Sequence, residues 1–160
     1  MRALRTSNQF RERTHPMLRV IALLGLLLMP LGEAHAADAS KTATLYKNPQ
    51  CGCCEEYADY LRQNGYTVTV KPTHDLVAMS REAGIPDDFQ GCHLAFIDDY
   101  VVSGHVPVGT VDRLLSERPA IKGVTLPGMP MGSPGMNGPK TTPFRIYEIA
   151  DGAPKVYAVE

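Results

Sequence analysis

The chain has 160 residues, a formal net charge of −1 and a hydrophobic share of 44%, with no tryptophan. That length suits one domain with a modest core. Beyond residue 36 the charge is mildly acidic with no Lys/Arg cluster, which argues against nucleic acid as a partner.

In chain order, Arg2, Arg5, Arg11, Arg13 and Arg19 form a long basic start, and Met17 offers an alternative initiation point. The apolar run from Val20 to Leu31 then ends before Ala34-His35-Ala36. The run is too short for a membrane span of ~20 residues, and small residues at 34 and 36 fit signal-peptidase recognition. The expectation is a cleaved Sec signal over residues 1–36, with a mature domain over 37–160. An uncleaved membrane anchor is the alternative that the short run disfavours. Five of the 16 basic and two of the 17 acidic residues leave with the signal, so the mature charge is 11 minus 15, or −4. With no second apolar span, the mature chain is expected to be soluble.

Thr42 to Lys47 (TATLYK) is a short β-prone run closed by Asn48 and Pro49. From Cys53 to Gln63, Tyr57, Tyr60 and Leu61 have the spacing of a helical apolar face, and Gly65 suits a C-cap. Tyr66 to Val70 alternates as a strand does. Asp75 can cap a second helix with Leu76, Met79 and Ala83 on its buried face, before Gly84 and Pro86 end it. HLAFI and YVVSGHV around Asp98-Asp99 predict a hairpin with a two-residue turn. Pro107 suits the first turn of a third helix, with Val111, Leu114 and Leu115 inward and Glu117-Arg118-Pro119 at its end. Residues 123–139, rich in Gly, Pro and Met, read as a loop, and a last hairpin is expected around Asp151-Gly152. The order is the thioredoxin-like plan: an α/β fold with a mixed β-sheet flanked by helices, a Met-rich loop and a C-terminal β extension.

Three of the four cysteines fall in Cys51-Gly52-Cys53-Cys54, and the fourth, Cys92, is followed by His93. Adjacent cysteines pair only with strain, so two structural disulfides are the weakest reading of this run. In the predicted fold the run sits where the first strand turns into the first helix. The helix N-terminus there favours thiolate, the form that binds metals and attacks disulfides. Cys92 lies in the loop before the third strand, which runs beside that turn, and can supply a fourth sulfur. Thiolate and thioether suit Cu(I), whereas thiolate with imidazole also suits Zn(II). Met129, Met131 and Met136 stand among Gly, Pro and Ser and cannot all be buried by their own segment. They read either as gap-fillers over the core or as soft ligands. His93 and His105 are candidates for ligands or for ordinary satisfied histidines. His74 reads as a surface residue, and Asp98-Asp99 as a turn.

LYKNPQCGCC, GCHLAFIDDYVVSGHVP and LPGMPMGSPGM, in this order, resemble a family of exported, thioredoxin-like bacterial proteins. Its best-known members are the CopG-type periplasmic copper-resistance proteins, and the likeness runs from about Ala43 to Val159. The resemblance implies a copper centre at Cys51, Cys53, Cys54 and Cys92, with His105, Met129 and Met136 also on motif positions. Met131 is an addition to the pattern. The implied partners are copper ions and other periplasmic copper-handling proteins. The implied cargo is Cu(I), with zinc less favoured, held singly or as a small thiolate-bridged cluster that can cycle between Cu(I) and Cu(II). The alternative is a periplasmic thiol-disulfide oxidoreductase using Cys51 and Cys54, whose spacing is C-x-x-C. The first motif also resembles the start of thioredoxin-like arsenate reductases; the extra Cys53 and Cys54 and the export signal rank that reading third.

Overall fold

The computed structural model describes residues 41–160, so the expected signal segment 1–36 and its cleavage point lie outside the described residues. Strand β1 (Thr42–Lys47) leads through the cysteine turn into helix α1 (Gly52–Gln63) and strand β2 (Thr67–Pro72). Helix α2 (Leu76–Glu82) and a 3-10 turn (Asp87–Phe89) precede the hairpin of β3 (His93–Ile97) and β4 (Tyr100–Ser103). Helix α3 (Val108–Glu117) is followed by β5 (Gly123–Thr125), β6 (Arg145–Ile149) and β7 (Val156–Val159). The strands form one mixed sheet in the order β2-β1-β3-β4-β5-β6-β7, with β1/β2 and β4/β5 parallel and the other pairs antiparallel.

Strand alternation divides the apolar side chains between two clusters. Ala43, Leu45, Ala95, Ile97 and Val102 meet Tyr57, Ala58 and Leu61 of α1 and Val111, Leu114 and Leu115 of α3 in the main core. Leu94, Val101 and Ile149 face the other way, toward Ile85, Leu76 and Met79. Burial on both faces explains why β3 and β4 read as nearly continuous apolar runs. Among the described residues, no helix is long and apolar enough to cross a membrane.

Two local expectations change. Asp75 occupies the N-cap of α2, but its side chain makes no capping bond; its own N–H donates to Thr73 Oγ1 at 3.0 Å instead. The segment expected as loop from 123 begins with β5, which joins the C-terminal hairpin to the main sheet. Gly123 permits that pairing, because a Cβ there would lie 1.8 Å from the Val101 carbonyl oxygen.

Candidate metal centre

Asn48 and Pro49 end β1 in a tight turn. The Cys51 N–H donates to the Asn48 carbonyl at 3.0 Å and the Gln50 N–H to Asn48 Oδ1 at 3.1 Å. Lys47, only 2% exposed, lies beneath this turn. Its Nζ donates to the carbonyls of Asn48 and Pro49, each at 3.2 Å, and pairs with the Glu55 carboxylate at 3.1 Å. All three ammonium protons are therefore used, and the two sides of the cysteine turn are tied together. Lys47 is the last residue of β1, and its burial among carbonyls depends on a fold-back that no local sequence pattern encodes.

Cys51 is the N-cap of α1, with extended backbone, and Gly52 to Cys54 open the helix. Cys51 and Cys54 are joined as a disulfide with Cα atoms 5.6 Å apart, while Cys53 and Cys92 are free thiols. Cys53 Sγ lies 3.3 Å from Cys51 Sγ, and Cys92 Sγ lies 3.4 Å from Cys54 Sγ. All four sulfurs fall within 4.8 Å of one another. A tetrahedral metal–sulfur site with bonds of ~2.3 Å spaces its sulfurs ~3.8 Å apart, so the cluster has the dimensions of a thiolate site once the disulfide is reduced.

Cys92 also joins the sulfurs to two histidines. Antiparallel pairing sets Leu94 opposite Ser103, and continuing that register brings Cys92 alongside His105. Cys92 Sγ lies 3.1 Å from His105 Nε2 and 3.5 Å from His93 Nδ1. His105 Nδ1 is 2.6 Å from the Pro134 carbonyl oxygen, which can only accept, so the proton sits on Nδ1 and the Nε2 lone pair faces the sulfur. His93 stacks on Tyr57 at 4.5 Å between ring centres, and Tyr57 is itself anchored by donating to the Val106 carbonyl at 2.9 Å. His93 Nε2 is buried with no hydrogen-bond partner. An orphaned buried polar atom of this kind costs ~1–3 kcal/mol and needs an explanation.

The electrostatics follow from burial. Desolvation, and then repulsion from the neighbouring Cys53, push the Cys92 thiol up to about 12. His93 is pushed down to about 3 by burial and by His105; the Gly104 backbone opposes part of that shift without completing a hydrogen bond. His105 is also lowered by burial, with the Pro134 carbonyl opposing. Both imidazoles are therefore neutral near pH 7, the form that ligates metals, whereas Cys92 must release a proton to do so.

The Met-rich segment closes over the turn. Gly135, at φ +77, lies so close to α1 that a Cβ there would approach Tyr57 N to 2.7 Å and Cys53 O to 3.0 Å. Met136 and Met131 line a cavity of about 710 Å³ together with Cys53, Glu56 and Asn137. Met129, 42% exposed and with φ 46, lies outside that lining. The structure thus brings Cys51, Cys53, Cys54, Cys92 and His105 together, sets Met136 and Cys53 on one cavity, and leaves Met129 outside its lining. Met131, an addition to the motif pattern, lines the same cavity, and His93, one of the two candidate histidines, joins Cys92 and His105. His74 is exposed, and Asp98 and Asp99 are both paired with Arg118.

The profile of a family described as "Protein of unknown function, DUF411" matches residues 89–136, from the 3-10 turn to the end of the Met-rich segment. Two solved structures of a copper resistance protein, CopG, in forms 1 and 2, match the fold with a TM-score of 0.68 and 31% identity. They cover 74% of this chain, and 97% (form 2) and 96% (form 1) of their own chains. The chain belongs to the CopG-type family. No curated protein sequence matches it. The copper resistance relatives and the sulfur cluster together point to a metal, and copper is the metal that the relatives' name supplies.

Proposed function

We propose that this protein is a periplasmic copper-binding protein that contributes to copper resistance by holding Cu(I) on Cys51, Cys53, Cys54 and Cys92, with His105 beside them. The observation that carries the reading is the convergence of four sulfurs within 4.8 Å, with the His105 lone pair turned onto one of them. Four soft ligands and a neutral imidazole, with no carboxylate in the cluster, favour Cu(I) over hard cations. Zn(II) satisfies the same donors less selectively. His93 Nε2 gains its missing partner if the ring turns toward the metal, and otherwise the ring orients Cys92 from behind. Periplasmic location rests on the basic and apolar pattern of residues 1–36, and the cysteine disulfide suits an oxidising compartment. A thioredoxin-like core is supported by the strand order β2-β1-β3-β4 with the cysteine turn between β1 and α1.

Binding through four thiolates first requires the Cys51–Cys54 disulfide to open. Two electrons and two protons pass to the sulfurs from a dithiol donor, which becomes a disulfide. Cycling between Cu(I) and Cu(II) at the same centre is part of the proposal: one electron passes from Cu(I) to a one-electron acceptor and returns from a one-electron donor, and the His105 imidazole suits the Cu(II) form. The second reading, a thiol-disulfide oxidoreductase, is favoured by one observation: Cys51 and Cys54 form the C-x-x-C disulfide that such enzymes use. Anaerobic reconstitution of the reduced residue 37–160 protein with Cu(I) and Zn(II) tests the proposal. Cu(I) is expected to displace Zn(II) and to resist a competing Cu(I) chelator. Retention of Zn(II) against equimolar Cu(I) would overturn it.

A further inference from the structure

We infer that the groove beside Cys53, walled by Met131, Met136, Glu56 and Asn137, is the port through which Cu(I) reaches and leaves the sulfur cluster; this rests on the Cu(I) reading above. The cluster is closed on its inner side. Cys54, His93 and His105 are fully buried, Tyr57 fills the space behind the rings, and Gly135 presses on the first turn of α1. Cys53 is the cluster sulfur that lines the open groove of about 710 Å³. Any ion arriving from solvent by this groove meets Cys53 first.

The walls suit a transient stop. Met131 is 58% exposed, so its thioether is not there to fill the core. Gly138 leaves it uncrowded: a Cβ at that position would lie 3.4 Å from Met131 Sδ. Met136 stands half-buried on the same groove, nearer the interior. A neutral thioether prefers Cu(I) but releases it readily to a thiolate, which binds as an anion. The order Met131, Met136, Cys53 therefore runs from weak, exposed donors to a strong, half-buried one. In the hand-over a Cu–S(thioether) bond breaks, a Cu–S(thiolate) bond forms and the thiol proton leaves to solvent. Copper stays Cu(I) throughout. The Glu56 carboxylate adds negative charge at the mouth, which raises the local concentration of a cation and is screened by salt.

The test is anaerobic stopped-flow transfer of Cu(I) from its bathocuproine disulfonate complex into the reduced protein. Wild type, Met131→Leu/Met136→Leu and Glu56→Gln are compared. The double leucine variant is expected to load about tenfold more slowly, equivalent to about 1.4 kcal/mol of barrier, with unchanged final stoichiometry and affinity. Glu56→Gln is expected to slow loading at low salt only. Unchanged rates in the double variant would overturn the port. So would an equal loss of equilibrium affinity, which would make the thioethers permanent ligands. Failure of the wild type to take Cu(I) at all would instead remove the copper reading itself.

Discussion

Burial and coordination make opposite demands on Cys92. Burial holds its thiol protonated, up to about 12, yet its sulfur touches Cys54 and the unprotonated face of His105. A metal resolves the conflict by replacing the proton. Cys92→Ser keeps the size and should therefore lower Cu(I) affinity by at least about 100-fold while shifting stability by no more than about 1 kcal/mol. Chelator competition and urea unfolding on one sample check both halves; equal affinity with a large stability loss would make Cys92 a core residue only. The same pocket sets a pH window for the metal-free protein. The folded pKa of His93 is depressed to about 3 from an unfolded value of ~6.5, so its contribution is complete above ~6.5 and is lost as pH falls toward about 3. Cys92 is raised, so its contribution is complete below its unfolded value of ~8.5 and is lost as pH rises toward about 12. Urea midpoints should therefore peak between about 6.5 and 8.5, and His93→Phe should flatten the fall between pH 6.5 and 5, above the carboxylate range. An unchanged fall in that variant would assign the acid limb elsewhere.

At the scale of elements, two constructions bring the site together. One is the hairpin: its two-residue turn at Asp98-Asp99 fixes the register that sets Cys92 beside His105. The two-residue turn was legible in the sequence, and the register follows from it, because the turn length dictates which flanking residues meet. The other is the Met-rich segment, locked down where Gly135 meets α1 and where Pro134 accepts from His105. Its glycines were visible, but their contact partners were not, since they lie some 80 residues away in α1. Gly135→Val adds a β-branched side chain at positive φ against backbone atoms 2.7–3.0 Å away. It should cost at least about 2 kcal/mol and lift the segment from the cysteine turn. Differential scanning calorimetry together with hydrogen exchange at Tyr57 reads both; a neutral substitution would mean that the contact is not maintained in solution. β5 escaped the sequence reading for a different reason. Three residues give no periodicity, and its pairing depends on the missing side chain of Gly123.

At the scale of the molecule, the strongly patterned segments declared themselves, and what they did not declare was long-range closure. The first four strands and three helices follow from alternation, helical spacing and turn residues. Their assembly into a seven-stranded sheet depends on β5. The folded chain then offers one cysteine turn for two chemistries, and Cys53 separates them. A dithiol enzyme needs Cys51 and Cys54 alone, whereas a four-sulfur copper site needs Cys53 as well. Cys53→Ser should spare any insulin disulfide reduction within about twofold and weaken Cu(I) binding at least about tenfold. Vigorous reductase turnover in wild type and variant, with normal copper tolerance in cells carrying the variant, would favour the enzyme reading.

Blocking the cysteines separates copper held on their sulfurs from copper held elsewhere. Reduced protein and protein alkylated at all four cysteines are titrated anaerobically with Cu(I) in the presence of a chromophoric chelator. The reduced protein should compete for Cu(I) and the alkylated protein should not. The same copper stoichiometry and affinity in both would take the copper off the cysteine sulfurs and place it on methionine and histidine.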